Sequence, residues 1–420
     1  MSAPHPMNDP ALMTSTPFPR LTPGSVLVAH PMLQHSHQLA LALHERGWLK
    51  AYWSGVPVAA PGEATPFWMP EHFRRRIKTV DIPAALRRHP MRFQLGLRAG
   101  AKLPRAVRGA PGDLEHYISH WFDTWTAHRI AALRPQVVIA YENAAYHTFA
   151  AAKAVGAFCV LDAASLHHRF KRRLLQEQLD TPFNEEVNRR KDAEVERADL
   201  VLTCSPLAAE SYVAEGVPAS KVRPLMLGAE LPAQQIATAF PSPKKAPRFL
   251  FAGTLRRLKS IDLILQAFDR LAREGLAYEL HFVGNLADPE LAPLLHATPH
   301  VTHLPGVPQK ELYALMAQAD CLLLPSRFDS FGMVVAEAMA CGTPALVSTC
   351  TGAKAMIEQT PGSGWIVAPE ADAIHAQVRA LLLDPARLAG AREAARRAAE
   401  PFSWQGYRAR AAALLSEVLH

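Results

Sequence analysis

The sequence predicts an α/β protein built from two Rossmann-like halves, each a parallel sheet flanked by helices. Three observations carry this. At 420 residues the chain exceeds what one hydrophobic core usually organises. Short apolar runs that read as buried strands alternate with longer helical patterns along most of it. The clearest unit is Cys321-Leu322-Leu323-Leu324, an apolar strand ending at Pro325-Ser326. A polar loop from Arg327 to Ser330 follows, then a small-residue helix starting near Phe331 and stopping at Cys341-Gly342. Pro344 opens the next strand, Ala345-Leu346-Val347-Ser348.

Composition narrows the class. Apolar content of 49% and charged content of 20% fit a soluble globular protein. The chain shows no apolar run of membrane-spanning length and no basic-then-apolar leader. Residues 1–21, rich in Pro, Ser and Thr, are expected to be disordered. The five cysteines show no CxxC spacing, so reduced thiols in the cytoplasm are expected, not a disulfide framework or metal site.

The net charge of +7 is concentrated. Arg74-Arg75-Arg76-Ile77-Lys78, Arg87-Arg88, Arg92, Arg98, Lys102, Arg105 and Arg108 share one stretch with Phe67, Trp68, Phe73, Phe93 and Leu95. Lys171-Arg172-Arg173 forms a second cluster. Basic residues mixed with apolar ones suit an anionic membrane surface or an anionic acceptor; a solvated insertion is the alternative. Nucleic acid is disfavoured, since no recognised binding module accompanies the charge.

In chain order, 24–30 reads as a strand and about 37–46 as a helix that Gly47 stops. A strand at 49–53 follows. The first turn holds His30, His35 and His37 in place of G-x-G-x-x-G, which disfavours a dinucleotide dehydrogenase. His35 is a candidate for touching an acceptor. Residues 61–111 form the basic insertion, and 113–133 an amphipathic helix. The strand at 136–140 ends in Glu142 and Asn143, placed where α/β sheets hold ligands; capping the next helix is the alternative. After a strand at 158–161 come His167 and His168, then one charged helix over 169–197. Residues 233–246 read as a linker between a half spanning 22–232 and one spanning 247–402, with a terminal helix over 403–420.

Candidate chemistry lies in the second half. Asp329 precedes the central helix and Glu337 lies within it, eight positions apart, or roughly 12 Å along a helix. That is about the reach of a nucleotide sugar. The amides of Phe331, Gly332 and Met333 would hold the diphosphate between the two acids, with Ser330 beside them. Glu337 as an ordinary exposed helix acid is the bland alternative, yet its neighbours Val334 to Ala340 are otherwise apolar, and a buried charge there needs a partner.

The stretch resembles the E-x7-E signature of glycosyltransferase family 4, retaining enzymes of GT-B fold, with Asp329 in place of the first Glu. Gly253-Thr254-Leu255-Arg256-Arg257-Leu258-Lys259-Ser260 is similar to the family's G-R-L-x-x-x-K-G motif, with Thr254 for Arg and Ser260 for Gly. The resemblance covers most of the chain from Gly24. It implies two Rossmann-like domains facing across a cleft, with the terminal helix crossing back onto the first. It assigns the donor's sugar hydroxyls to Asp329, its ribose to Glu337 and its diphosphate to Lys259, with Arg256 or Arg257 as second cation and Gly306 and Val307 near the base. His167 or His168 would approach the transferred sugar. No metal or cofactor is implied.

The expected function is hexosyl transfer from a nucleotide diphosphate sugar to a glycan or lipid-linked acceptor in cell-surface polysaccharide or lipopolysaccharide synthesis. The expected place is the cytoplasm, with peripheral contact at the inner face of the membrane. A nucleotide-sugar epimerase of the same fold and an inactive sugar-nucleotide-binding subunit are the rivals.

Overall fold

The computed structural model describes residues 20–63, 77–101, 113–175, 182–232 and 246–419. Expectations for Phe67, Trp68, Phe73, Arg74 to Arg76, Lys102, Arg105 and Arg108, and for most of 1–21 and 233–246, lie outside the described residues. So does the side chain of Arg98.

The first half is built on β1 (Val26–His30), β2 (Leu49–Ser54), β5 (Arg87–Arg88), β6 (Val137–Tyr141), β7 (Phe158–Ala163), β8 (Leu200–Thr203) and β9 (Val222–Pro224). A separate two-stranded pair, β3 (Val58–Ala59) and β4 (Lys78–Thr79), lies beside it. The main sheet runs β5-β2-β1-β6-β7-β8-β9, all parallel, with Leu27 opposite both Ala51 and Val138. Because side chains alternate along a strand, Val26 and Val28 enter one apolar cluster while Leu27 and Ala29 enter another. The second cluster packs the helices Asp113–Leu133 and Tyr146–Ala154 onto the outer face of this sheet.

The second half is built on β10 (Arg248–Ala252), β11 (Glu279–Val283), β12 (Val301–Leu304), β13 (Cys321–Leu324), β14 (Ala345–Ser348) and β15 (Gly364–Val367), ordered β12-β11-β10-β13-β14-β15. Cys321 to Leu324 are all buried, as a strand covered on both faces requires. The larger cluster reaches from Val26 and Tyr52 through Leu225 to Leu227 and Phe402 into Phe249 and Leu322, so one apolar core joins the two sheets.

The terminal helix Trp404–Val418 closes the chain onto the first half. Ser403 caps it by accepting the Gly406 amide at 3.0 Å. Arg408 donates to Gln38 at 2.8 Å and pairs with Glu45 at 2.9 Å, both on the helix Ser36–Glu45. Leu21 N–H donates to Leu419 at 3.0 Å.

Three expectations need correction. The charged segment 169–197 holds two helices, His168–Leu175 and Pro182–Arg197. Pro182 opens the second because proline suits a first turn and lacks the N–H an interior position needs. Arg87 is not a solvated charge: it lies on an edge strand, is buried, donates to the Val58 carbonyl at 2.6 Å and pairs with Glu63. β7 continues past Leu161 to Ala163, which buries Asp162.

Ser260 stands where the resembling motif has glycine. It takes a left-handed φ of 59° at the start of the helix Ile261–Arg273 and is fully buried. Its hydroxyl has no partner among the described residues. A left-handed L-residue costs roughly 1–2 kcal/mol, and a buried unbonded hydroxyl adds to that. Ser260→Gly is expected to raise stability by about 1 kcal/mol in denaturant titration. An unchanged or lowered midpoint would contradict the strain.

Candidate active site

The second sheet delivers three loops to one edge: 253–260 after β10, 325–332 after β13 and 349–353 after β14. Lys259 Nζ donates to Asp329 Oδ2 at 2.6 Å, which ties the first loop to the second. Asp329 is itself pinned to the third loop. Its amide donates to the Cys350 carbonyl at 3.1 Å, and its carbonyl accepts the Gly352 amide at 2.9 Å. Its Oδ1 accepts the amide of Phe331, two residues on, at 3.2 Å, a turn that a short acid side chain favours. Both carboxylate oxygens are therefore engaged, each keeping one further acceptor position.

The central helix spans Met333–Ala340, not from Phe331 onward, and Gly332 caps it with a φ of 86°. A Cβ on Gly332 would lie 3.0 Å from Leu324 Cδ2, so conformation and space both require glycine. The Phe331 amide is not free as expected, because Asp329 takes it, and the Phe331 ring is buried 6.4 Å from that of Phe402. The amides of Gly332 and Met333 have no partner among the described residues. Ser330 is half-buried, and its carbonyl accepts Ser205 Oγ from the first half at 2.7 Å.

Glu337 is half-buried on this helix, and its carboxylate has no hydrogen-bond partner among the described residues. Burial, with Glu230 nearby, pushes its carboxyl up to about 7. Tyr313, which interacts with both acids, donates its hydroxyl to the Glu230 carbonyl at 2.6 Å.

Gly253 and Thr254 are exposed at the end of β10. Arg257 is occupied: its amide donates to Asp288 at 2.8 Å and its side chain pairs with Glu290 at 3.7 Å. Arg256 is exposed without an acidic partner among the described residues, which leaves it as the second available cation. Gly306 is exposed near Asn285, and Val307 is half-buried beside it.

Sequence reasoning missed Arg327 and Ser205. Arg327 holds Asp262 through both terminal nitrogens, at 2.6 and 2.9 Å, and the Arg257 carbonyl at 2.6 Å, fixing the loop of Asp329 to the loop of Lys259. The acid three residues after Lys259 was the available signal. Ser205 was legible only as a cap, and it does accept the Ala208 amide.

The first half holds a cavity of about 250 Å³ lined by His30, Tyr141, Glu142, Asn143, Asp162 and Ser165, among others. Burial would raise the carboxyl of Glu142. Lys191, at 3.2 Å, and the Ser165 hydroxyl, at 2.9 Å, outweigh this and hold it below its usual range. Asn143 takes a left-handed φ of 74° and donates its amide to Glu194 at 2.9 Å. The helix Tyr146–Ala154 is capped by Glu194 and Asp123 from neighbouring helices, not by Asn143.

His35 is buried, bound to Asp162 at 3.0 Å. His30 lines the cavity together with His116, and burial lowers the His30 ring to about 3, with His35 adding to the effect. His167 is buried and lowered to about 4 by burial and by His168, whose ring stacks on it at 4.6 Å. His168 binds Asp192 at 2.7 Å. Ligand atoms of His167, His168 and Asp192 lie within 4.8 Å of one another. Arg169 holds the other Asp192 oxygen at 2.6 Å, so a metal cation there would meet a guanidinium.

Two parallel-sheet halves whose loops face each other define the GT-B fold, and solved structures of that architecture superpose on nearly the whole chain. Sucrose-phosphate synthase from Thermosynechococcus elongatus aligns with a TM-score of 0.65 at 17% identity, over 94% of this chain and 99% of that one. HepE from Anabaena, in complex with UDP, aligns at 0.61 and 15% identity, over 94% and 100%. Residues 233–399 match the family described as Glycosyl transferases group 1. D-inositol 3-phosphate glycosyltransferase 1 of Catenulispora acidiphila is 36% identical over 176 residues, 39% of this chain and 42% of that protein. The D-inositol 3-phosphate glycosyltransferase of Mycobacterium tuberculosis (strain ATCC 25177 / H37Ra) is 35% identical over 164 residues, 37% and 34% of the two. The chain spans less than half the length of these relatives.

Glu337 sets a pH dependence. Its folded value of about 7 exceeds the ordinary 4.5, so stability is fully present below 4.5 and is lost as pH rises through 7. Glu337→Gln is expected to be more stable than the parent at pH 8, by about 3 kcal/mol, with the gap closing below pH 4.5. Melting temperatures across that range test this. A pH-independent difference would contradict it.

Proposed function

We propose that the chain is a retaining glycosyltransferase of family 4 type. It transfers a hexose from a nucleotide diphosphate sugar to a hydroxyl of a glycan or lipid-linked acceptor, in cell-surface polysaccharide or lipopolysaccharide synthesis. One observation carries the reading. Lys259 and the unpartnered amides of Gly332 and Met333 converge on one loop, within the segment that matches group 1 glycosyl transferases.

In this reading the diphosphate draws Lys259 from Asp329 and sits at the start of Met333–Ala340, where amides and helix dipole favour negative charge. Arg256 adds a second positive charge, and Glu337 accepts from the ribose. Gly306 and Val307 flank the base. The bond between the anomeric carbon and the phosphate oxygen breaks as the acceptor oxygen bonds to that carbon on the same face. The acceptor's proton passes to the departing phosphate oxygen. These cations and amides stabilise that oxygen without a metal or cofactor. Glu142 and Asn143 line the acceptor side. D-inositol 3-phosphate, the acceptor in the relatives' names, belongs in the same acceptor panel as glycans and lipid-linked sugars.

In this reading the protein works in the cytoplasm, in peripheral contact with an anionic membrane, and one exposed patch supports the contact. Leu95, Tyr117 and Trp121 are exposed, and the Arg92 guanidinium lies 5.3 Å from the Trp121 ring centroid.

Thermal-shift screening of nucleotide diphosphate sugars should identify the donor by a raised melting point. Lys259→Ala is expected to lower turnover of that donor by roughly 10²–10³-fold. Undiminished turnover would remove Lys259 from the reaction. Release of an isomerised nucleotide sugar without acceptor would favour an epimerase instead.

A further inference from the structure

We propose that the acceptor carries a phosphate group and that the first half holds it in a basic cavity beside the donor loop. The proposal rests on the glycosyl-transfer reading above and names the acceptor's chemical class.

A cavity of about 360 Å³ lies between the helices His168–Leu175 and Pro182–Arg197. Lys171, Arg172, Lys191 and His168 line it, together with the side-chain amides of Asn184 and Asn188. Among the described residues no acid lines it. Lys191 is already balanced by Glu142, and His168 by Asp192. Lys171 has no acidic partner among the described residues; its ammonium instead lies 5.8 Å from the Phe328 ring centroid. The cavity therefore keeps an uncompensated cation with amide donors around it. A phosphate, with several acceptor oxygens and up to two negative charges, matches that set.

Position joins this cavity to the reaction. Phe328 directly precedes Asp329, so Lys171 reaches across the cleft to the loop that holds Lys259. Ser165 lines both this cavity and the one containing Glu142 and Asn143. Next to Ser165, the Ala164 carbonyl accepts Cys204 Sγ at 3.4 Å, and the same sulfur reaches the Ser330 carbonyl at 3.4 Å. An acceptor whose phosphate occupies the basic cavity would extend its hydroxyl-bearing part past Ser165 toward the donor. Of the Lys171-Arg172-Arg173 cluster, the fold turns Lys171 and Arg172 to this cavity.

Two variants separate this from a general charge effect. Lys171→Gln removes the cation, and Asn188→Asp adds a carboxylate of nearly the same shape. Binding of inorganic phosphate and of glycerol 3-phosphate to the full chain would be measured by calorimetry, with UDP saturating so that the donor's diphosphate position is filled. Each variant is expected to weaken phosphate binding by about tenfold or more, while UDP affinity stays at the parent value. Vesicles of phosphatidylglycerol form a second arm. Variant-sensitive vesicle binding assigns the phosphate to a lipid headgroup, and variant-sensitive binding of the small phosphates alone assigns it to a soluble acceptor. Phosphate binding that is absent in the parent, or equal in parent and both variants, overturns the proposal. Loss of UDP binding by the parent would instead strike the donor reading on which it rests.

Discussion

The contact between Lys259 and Asp329 organises the second half of the molecule. An ammonium at the end of one loop meets a carboxylate whose backbone is already fixed to a third, so three strand ends share one junction. Charge-assisted hydrogen bonds of this kind are stronger than neutral ones, and both groups here are largely withdrawn from solvent. The pair holds a lysine next to two unpartnered amides while keeping its charge balanced in the absence of ligand. An incoming diphosphate would compete for that lysine on favourable terms, since it brings more negative charge and finds the helix start ready.

The same junction is coupled to the other half. Ser205 caps its own helix and also donates to the Ser330 carbonyl, one residue past Asp329. Gly352 makes room for that contact: a Cβ there would lie 2.1 Å from the Ser330 oxygen and 2.7 Å from Ser205 Oγ. Phe331 faces Phe402, just before the terminal helix, and that helix rests on the first half through Arg408. The loop of Asp329 is thus tied to the opposing half through a hydrogen bond and packed rings. Ser165, next to the Ala164 carbonyl that meets Cys204 at this contact, lines both the cavity of Glu142 and that of Lys171.

Much of the architecture was legible because fully buried parallel strands must read as apolar runs. Cys321 to Leu324 and Phe249 to Phe251 could hardly be anything else. The terminal helix was legible over 403–420, and the structure adds that Ser403 caps it. What the sequence concealed depended on partners far away in the chain. His30 and His35 occupy one turn and both are buried, and only the placement of Asp162, Tyr141 and Tyr407 decides which pairs with an acid and which lines a cavity. A charged segment read as a solvated face because its pattern does not reveal that Glu194 is turned inward to cap another helix, or that Lys191 and Asn188 line a cleft. At the candidate site, the types of residue were readable and their pairing was not. That Asp329 would fold back on the Phe331 amide follows from a side chain one methylene shorter than the glutamate of the resembling motif.

The account stands on an anion being gripped at the junction of Lys259 with the start of Met333–Ala340. A crystal structure of the full chain with bound UDP tests this most directly. The account predicts phosphate oxygens within hydrogen-bond distance of the Gly332 and Met333 amides, with Lys259 Nζ turned from Asp329 toward them. A diphosphate seated elsewhere, with the lysine still on its carboxylate partner, would contradict it.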